Sequence, residues 1–192
     1  MSINFYNNNA DIFFNQTVNE DMSSIYKIFI ENLPNKNGSI LDLGCGSGRD
    51  SKYFLKNGFE VLPLDLSSEL SVKASEYIGQ EVIIKDMRDI DYSDKFIGVW
   101  ACASILHIKQ DEIENLFFKI FNSLKKDGIF YSSFKYGEKN YEKEGRNFTC
   151  FTEKKFFSLF PTLKEKTIKI FITNDVRKGR ENEKWFNIIL KK

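Results

Sequence analysis

Apolar positions along the chain keep two rhythms, one helical and one extended. Met22, Ile25, Ile28, Phe29 and Leu33 recur at helical spacing and stop before Pro34, which predicts an N-terminal helix over Asp21 to Leu33. Ser39 to Leu43 then reads as a short buried strand, and Gly48 to Asn57 as a helix ended by Gly58. Glu60 to Asp65 is a second strand, followed by a helix from about Ser68 to Ile78 with Gly79 as its C-terminal cap. Val82 to Lys85 and Lys95 to Trp100 are strands three and four. Between strands four and five, Ile113, Leu116, Phe117, Ile120, Phe121 and Leu124 form an apolar stripe on one helix face.

A turn at Lys126, Asp127 and Gly128 leads into a fifth strand over Ile129 to Phe134. Lys135 to Arg146 reads as a polar loop and Thr152 to Leu159 as a helix. Thr167 to Thr173 and Lys184 to Leu190 are β-rich runs with no helix between them, which suggests an antiparallel edge hairpin. Strands alternating with helices through residue 134 imply an α/β fold with a parallel, doubly wound sheet and helices on both faces. Pro63 is the one anomaly, because it removes a ladder donor from strand two.

With 192 residues, 42% of them hydrophobic, the chain can bury one sizeable core, and no stretch reads as a linker. A single domain, 1–192, is expected. Met1 to Asp11 is rich in Asn and lacks the basic start and apolar run of a signal peptide, and no segment reaches the roughly 18 apolar residues of a membrane span. The expected location is cytoplasmic, with no membrane partner. Cys45, Cys102 and Cys150 are odd in number and widely spaced, and with a single histidine they argue against a disulfide framework or a metal site. The balance of 28 basic against 27 acidic residues gives no electrostatic footprint for nucleic acid, so none is expected as a partner. A basic excess does occur in the last 32 residues, with nine Lys or Arg against four Asp or Glu, and it reads as a solvated tail.

Chemistry concentrates where strand one meets its helix, in the run Asp42-Leu43-Gly44-Cys45-Gly46-Ser47-Gly48. Glycine at 44, 46 and 48 lets the backbone turn sharply and approach a ligand, and the helix behind offers free N–H groups. About 20 residues beyond the first glycine, Asp65 ends strand two, where a carboxylate can take both hydroxyls of an adenosine ribose. A dinucleotide site would show G-x-G-x-x-G to present the helix to a pyrophosphate. An acid just before the first glycine opposes a pyrophosphate but suits the cationic methionine ammonium of S-adenosylmethionine, directly or through water.

In these features the chain resembles class I S-adenosylmethionine-dependent methyltransferases over essentially its whole length. Gly44 to Ser51 (GCGSGRDS) and Trp100 to His107 (WACASILH) are similar to small bacterial methyltransferase-domain proteins, and a more distant likeness is to tellurite-resistance methyltransferases. The resemblance implies a Rossmann-like sheet of order 3-2-1-4-5-7-6 with strand 7 antiparallel, and S-adenosyl-L-methionine as cofactor. It divides the chain into an N-terminal helical lid (1–34), a cofactor-binding core (38–134) and a C-terminal part with the edge hairpin (135–192).

Carried over residue by residue, the resemblance implies that Gly44, Cys45 and Gly46 line the methionine portion. Asp65 holds the ribose with Leu66 beside the adenine, Asp86 accepts from the adenine amino group, and Met87 supplies a backbone donor. Ala101 and Cys102 fall where relatives contact the methionine amino group. Arg49 suits the methionine carboxylate, which a guanidinium can bind in bidentate fashion. Tyr6, Thr17 and Met22 match positions of the family's lid.

Methyl transfer from a sulfonium asks mainly for alignment and exclusion of water. A base is needed only if the acceptor is protonated when bound, and His107, after strand four, is the candidate catalytic residue for that task. Ala101-Cys102-Ala103-Ser104 is not the Asn/Asp-Pro-Pro-aromatic motif of exocyclic-amine methylation. The chain also has no appended recognition domain, so a small-molecule methyl acceptor is expected. Lys135, Tyr136, Arg146, Arg177, Arg180 and Trp185 are candidates for a cationic and aromatic rim around an anionic or aromatic acceptor. The alternative reading is a non-catalytic protein that binds S-adenosylmethionine or S-adenosylhomocysteine; a dinucleotide-dependent oxidoreductase is the third.

Overall fold

The computed structural model describes residues 2–192. Three helices come first, α1 (Ser2–Asn8), α2 (Ala10–Thr17) and α3 (Ser23–Asn32). The core then alternates: β1 (Ser39–Leu43), α4 (Arg49–Lys56), β2 (Glu60–Asp65), α5 (Ser68–Ile78), β3 (Ile83–Ile84), β4 (Phe96–Ala101), α6 (Ile113–Ser123) and β5 (Leu124–Tyr136). Beyond it lie β6 (Tyr141–Lys143), β7 (Arg146–Phe148), β8 (Cys150–Phe151), α7 (Glu153–Leu159), β9 (Thr167–Asn174) and β10 (Lys184–Lys191).

The strands assemble in the order β3-β2-β1-β4-β5-β10-β9, with β8 added beside the end of β5. β1, β2, β3, β4 and β5 pair in parallel, while β10 runs antiparallel to both β5 and β9. The expected sheet order and antiparallel seventh strand are therefore observed.

Side chains of the central strands divide between two cores, as a sheet covered on both faces requires, and the irregularity between Phe96 and Gly98 interrupts strict alternation in β4. In β4, Phe96 and Val99 face the core built with Ile113, Leu116, Phe117 and Ile120 of α6. Ile97 and Trp100 face the opposite core, with Ile25, Tyr26 and Phe29 of α3 and Phe54 of α4. Helix ends follow local chemistry: Ser67 Oγ accepts from Leu70 N–H at the start of α5, Thr152 Oγ1 does so from Lys155 N–H at α7, and Gly79 closes α5 in the left-handed region.

Pro63 does little harm. β3 pairs with β2 only at Leu64 and Asp65, so Pro63 has no ladder neighbour on that side. The turn expected at Lys126 to Gly128 survives as an irregularity within β5, with Asp127 at φ 63° and a register shift against β4 between Phe96 and Gly98.

One expectation needs correction. Residues 135–146 are not simply a polar loop: β5 continues through Tyr136, and β6 and β7 form a hairpin turned at Glu144 and Gly145, both with positive φ. Within the expected N-terminal helical lid (1–34), the single helix read over Asp21 to Leu33 is preceded by two more, α1 and α2. No helix among the described residues is long and apolar enough to cross a membrane.

Candidate active site

β1 ends at the C-terminal edge of the sheet, and the chain turns back into α4 through Gly44, Gly46 and Gly48. Gly44 N–H and Cys45 N–H both donate to the Leu64 carbonyl, at 2.7 and 3.0 Å, tying the turn to β2. Gly44 has φ 81°, and a Cβ there would sit 2.5 Å from the Ser104 Cβ, so only glycine lets the loop after β4 close in. Ser104 Oγ in turn donates to the Leu43 carbonyl at 2.6 Å. At Gly46 a Cβ would come within 3.3 Å of the Phe13 ring, because α2 lies across the turn.

Asp65 stands beside this turn. Its Oδ2 accepts from Gly46 N–H at 2.8 Å and its Oδ1 from Ser67 N–H at 2.9 Å. Burial pushes its carboxyl above the usual range, opposed by these backbone hydrogen bonds. The carboxylate is thereby aimed, and its remaining lone pairs face a cavity of about 1580 Å³ that Asp65 lines together with Gly44, Cys45 and Gly46. That volume exceeds the roughly 300–1,000 Å³ usual for one small-molecule site.

Behind the turn a buried polar cluster fixes Arg49. Asp50 accepts from Arg49 Nε at 2.6 Å and Arg49 Nη2 at 3.0 Å, from Trp100 Nε1 at 2.8 Å, and from the Tyr26 hydroxyl. Burial would raise the Asp50 carboxyl, but Arg49 and these donors hold it below the usual range, so the pair is ionised. Arg49 also lines the cavity, and its Nη2 lies 3.9 Å from Cys102 Sγ. Burial and the Asp50 charge push the Cys102 thiol up to about 12, so it is neither thiolate nor nucleophile at neutral pH.

Two expected contacts require correction. Asp42 is 1% exposed and does not line the cavity; it accepts from Ser51 Oγ at 2.6 Å beneath the glycine turn. Burial, then the Asp50 charge, raise its carboxyl to about 8, so it is largely uncharged at neutral pH and offers no direct contact to an ammonium. Ala101 is fully buried within β4 and also stays off the wall.

Leu66, Asp86 and Met87 do line the cavity, near the ends of β2 and β3. The Asp86 carboxylate is engaged by Arg88, with Nη2 at 2.6 Å, and Arg88 continues to Glu112 at 3.0 Å. An adenine amino group would have to share Asp86 with this arginine.

The lid residues converge on the same space. Thr17 Oγ1 lies 3.0 Å from Ser47 Oγ, and Met22 both lines the cavity and packs in the α3 core. The Tyr6 hydroxyl lies 2.6 Å from His107 Nε2, and His107 Nδ1 lies 2.7 Å from the Asn147 carbonyl. A carbonyl only accepts, so Nδ1 carries the proton, Nε2 is the acceptor and Tyr6 donates to it. Burial lowers the His107 pKa to about 4.

That value carries a sign. Between about pH 4 and 6.5 the unfolded chain binds a proton at this histidine and the native state does not, so stability falls as pH drops through that window. Wild-type protein should lose more stability than His107→Gln between pH 7 and 4.5, by up to about 3 kcal/mol at about 1.36 kcal/mol per unit. Urea denaturation of both at the two pH values measures it, and equal losses would contradict a buried neutral imidazole.

Of the expected rim, Tyr136, Arg146, Arg177, Arg180 and Trp185 line the far half of the cavity. Lys135 lines it too, as a buried, paired cation. It is paired with Glu183, lies 3.4 Å from Asp175 and sits 3.8 Å above the Trp185 ring. Asp175 gave no sign of itself in the sequence. It takes both Nε (2.9 Å) and Nη2 (2.6 Å) of Arg177 and Trp185 Nε1 (3.1 Å), and these donors outweigh burial to keep it ionised. Asp50 and Asn147 escaped notice in the same way, since their partners are distant in sequence. No cluster of three or more His, Cys, Asp or Glu suited to a metal ion occurs among the described residues.

A sheet with an antiparallel strand between β5 and β9, a glycine turn after β1 and an acid closing β2 define the S-adenosylmethionine-binding methyltransferase fold. Residues 40–128 match the family model of the methyltransferase domain. It is 38% identical over 118 residues to the candidate methyltransferase YqeM of Bacillus subtilis (strain 168), a match covering 55% of this chain and 47% of that protein. The chain thus spans about half the length of that relative.

Among solved structures, the Burkholderia thailandensis 1,6-didemethyltoxoflavin-N1-methyltransferase, with bound 1,6-didemethyltoxoflavin and S-adenosylhomocysteine, superposes with a TM-score of 0.79. It is 20% identical, over 100% of this chain and 85% of that one. The [4+2]-cyclase SpnF superposes at 0.73 and 12% identity, over 100% of this chain and 94% of its own. These likenesses are of fold, and the second is named for a different reaction, so the reaction has to be argued from the site.

Proposed function

We propose that this chain is an S-adenosylmethionine-dependent methyltransferase acting on a small-molecule acceptor. One observation carries the reading: a single cavity runs without a break from the glycine turn and Asp65, past Tyr6 and His107, to the chamber around Arg146 and Arg177. Cofactor and acceptor would therefore share one continuous cleft. When bound, S-adenosylmethionine supplies an electrophilic methyl group, and its transfer leaves S-adenosylhomocysteine and releases any proton carried by the acceptor's nucleophilic atom.

The chain's own residues divide the remaining work. Asp65 takes the ribose hydroxyls, the backbone of Gly44 to Gly46 lies against the methionine portion, and Arg49, steadied by Asp50, offers its free N–H groups to the carboxylate. Leu66, Met87 and Asp86 border the adenine side. His107 Nε2 is neutral and can take a hydrogen bond from the acceptor's nucleophilic atom once Tyr6 yields its place.

Calorimetry is expected to show S-adenosylmethionine and S-adenosylhomocysteine binding and no binding of nicotinamide dinucleotides. The reverse pattern would overturn the cofactor assignment. Incubation with methyl-labelled S-adenosylmethionine and a pool of cell metabolites then separates transfer from binding: label should move to a small molecule. Binding without any transfer would favour a non-catalytic role.

A further inference from the structure

The two halves of the cavity carry opposite charge balances. Among its lining residues between 3 and 112 there are four Lys or Arg and five Asp or Glu; between 135 and 187 there are seven Lys or Arg and four Asp or Glu. Depth sharpens the contrast. In the second half the side chains of Lys135, Arg146 and Arg177 are 10%, 14% and 19% exposed. Asp175, at 2%, is the one comparably buried acid among the described residues there, whereas Glu183 and Glu144 are 44% and 54% exposed. Solvent screens the exposed acids, so they offset buried cations poorly.

Asp175 is shared by Lys135, Arg177 and the Trp185 indole, which leaves Arg146 without a buried counter-charge. Its guanidinium carbon lies 3.5 Å from the centroid of the Phe5 ring and near Tyr6 and Phe148, and the one carboxylate it is paired with is the exposed Glu144. Arg146 Nε is buried and has no hydrogen-bond partner among the described residues. A buried charged donor left unpaired is costly, and an oxyanion is its natural acceptor. The Tyr6 hydroxyl, held on His107, feels the charges of both Arg146 and Arg177. A ligand anchored at these arginines would thus present its other end to Tyr6 and His107.

We propose that the acceptor carries an oxyanion, a carboxylate or a phosphate, bound in the second half of the cavity by Arg146 with Arg177. This rests on the methyltransferase reading for the word acceptor, but the anion site itself does not. The chemistry selects a small acid whose nucleophilic atom lies apart from its charged group.

The test uses full-length protein titrated by calorimetry with phenyl phosphate, benzoate, benzamide and benzylamine, with and without S-adenosylhomocysteine. The expected result is that at least one of the two anions binds at least tenfold more tightly than the neutral and cationic analogues, and the tighter of them names the group. Arg146→Met should lose at least tenfold of that affinity, Arg146→Lys should lose less, and Lys178→Met, the same charge change off the cavity wall, should change it less than twofold. S-adenosylhomocysteine affinity unchanged within twofold in Arg146→Met certifies that variant's fold. Equal binding of anion and amide, or full anion affinity in Arg146→Met, would overturn the proposal. If S-adenosylhomocysteine fails to bind wild type, the cofactor reading falls, and the anion titrations without it, with thermal melts to certify the variants, still decide this site.

Discussion

With Asp65 replaced by alanine, S-adenosylmethionine is expected to bind at least about tenfold more weakly while the protein stays folded. The reasoning is additive. Each hydrogen bond from a ribose hydroxyl to a carboxylate is worth about 1.5–3 kcal/mol, and about 1.4 kcal/mol is a factor of ten. The substitution also frees Gly46 N–H and Ser67 N–H, which Asp65 holds at 2.8 and 2.9 Å, so the glycine turn itself should loosen. Asp65→Asn separates the two contributions, since the amide oxygen can still take one backbone donor. Calorimetry with circular dichroism checks both variants, and an unchanged dissociation constant in Asp65→Ala would remove the ribose from this end of β2.

The second large effect concerns α1 and α2. These helices touch the core through groups on the cavity side, Phe13 over Gly46, Thr17 on Ser47, Tyr6 on His107 and Asn7 Oδ1 accepting from Ser67 Oγ at 2.7 Å, and α2 also rests on α5 through Phe14 against Tyr77 and Asp11 paired with Lys73. The apolar cores on the two sheet faces draw on α3 onward, with Met22 the first residue they use. Deletion of residues 1–20 should therefore leave a folded protein that binds S-adenosylmethionine weakly and turns nothing over. In the full chain, residues 6–22, or 135–146 on the opposite rim, should gain hydrogen-exchange protection when the cofactor binds. Protection in neither segment, or full turnover by the truncated chain, would rule out a closing lid.

How much could be read beforehand depended on whether the signal was local. Buried strands such as Ser39–Leu43 and the α6 stripe announce themselves by period, and Gly79 and Thr152 by cap chemistry, so the sheet and its order were legible. The glycine turn and Asp65 were legible too, because backbone approach and a carboxylate at a strand end are local requirements. α1 and α2 were not, since Asn is a poor helix former and tertiary contacts hold these short helices. The β6–β7 hairpin was hidden in a polar stretch whose turn begins with Glu144 rather than a more usual turn residue. The charge clusters were least legible: Asp50 is paired with Trp100 fifty residues away and Asp175 with Lys135 forty away, and no spacing rule reaches that far. The same gap hid the setting of Asp42, whose sequence position is right beside the loop but whose side chain bonds Ser51 beneath it.

Only two tryptophans occur in the chain, and each is wired to one half of the cavity. Trp100 is fully buried, stacked on Tyr131, and bonded to the carboxylate that steadies Arg49. Trp185 is partly exposed, with the Lys135 ammonium over its ring and its indole N–H on Asp175. Their ultraviolet emission should differ accordingly, blue for the dry indole and redder for the one near water. The molecule thus carries a built-in optical label for each compartment, and Trp100→Phe or Trp185→Phe would isolate the signal of one from the other.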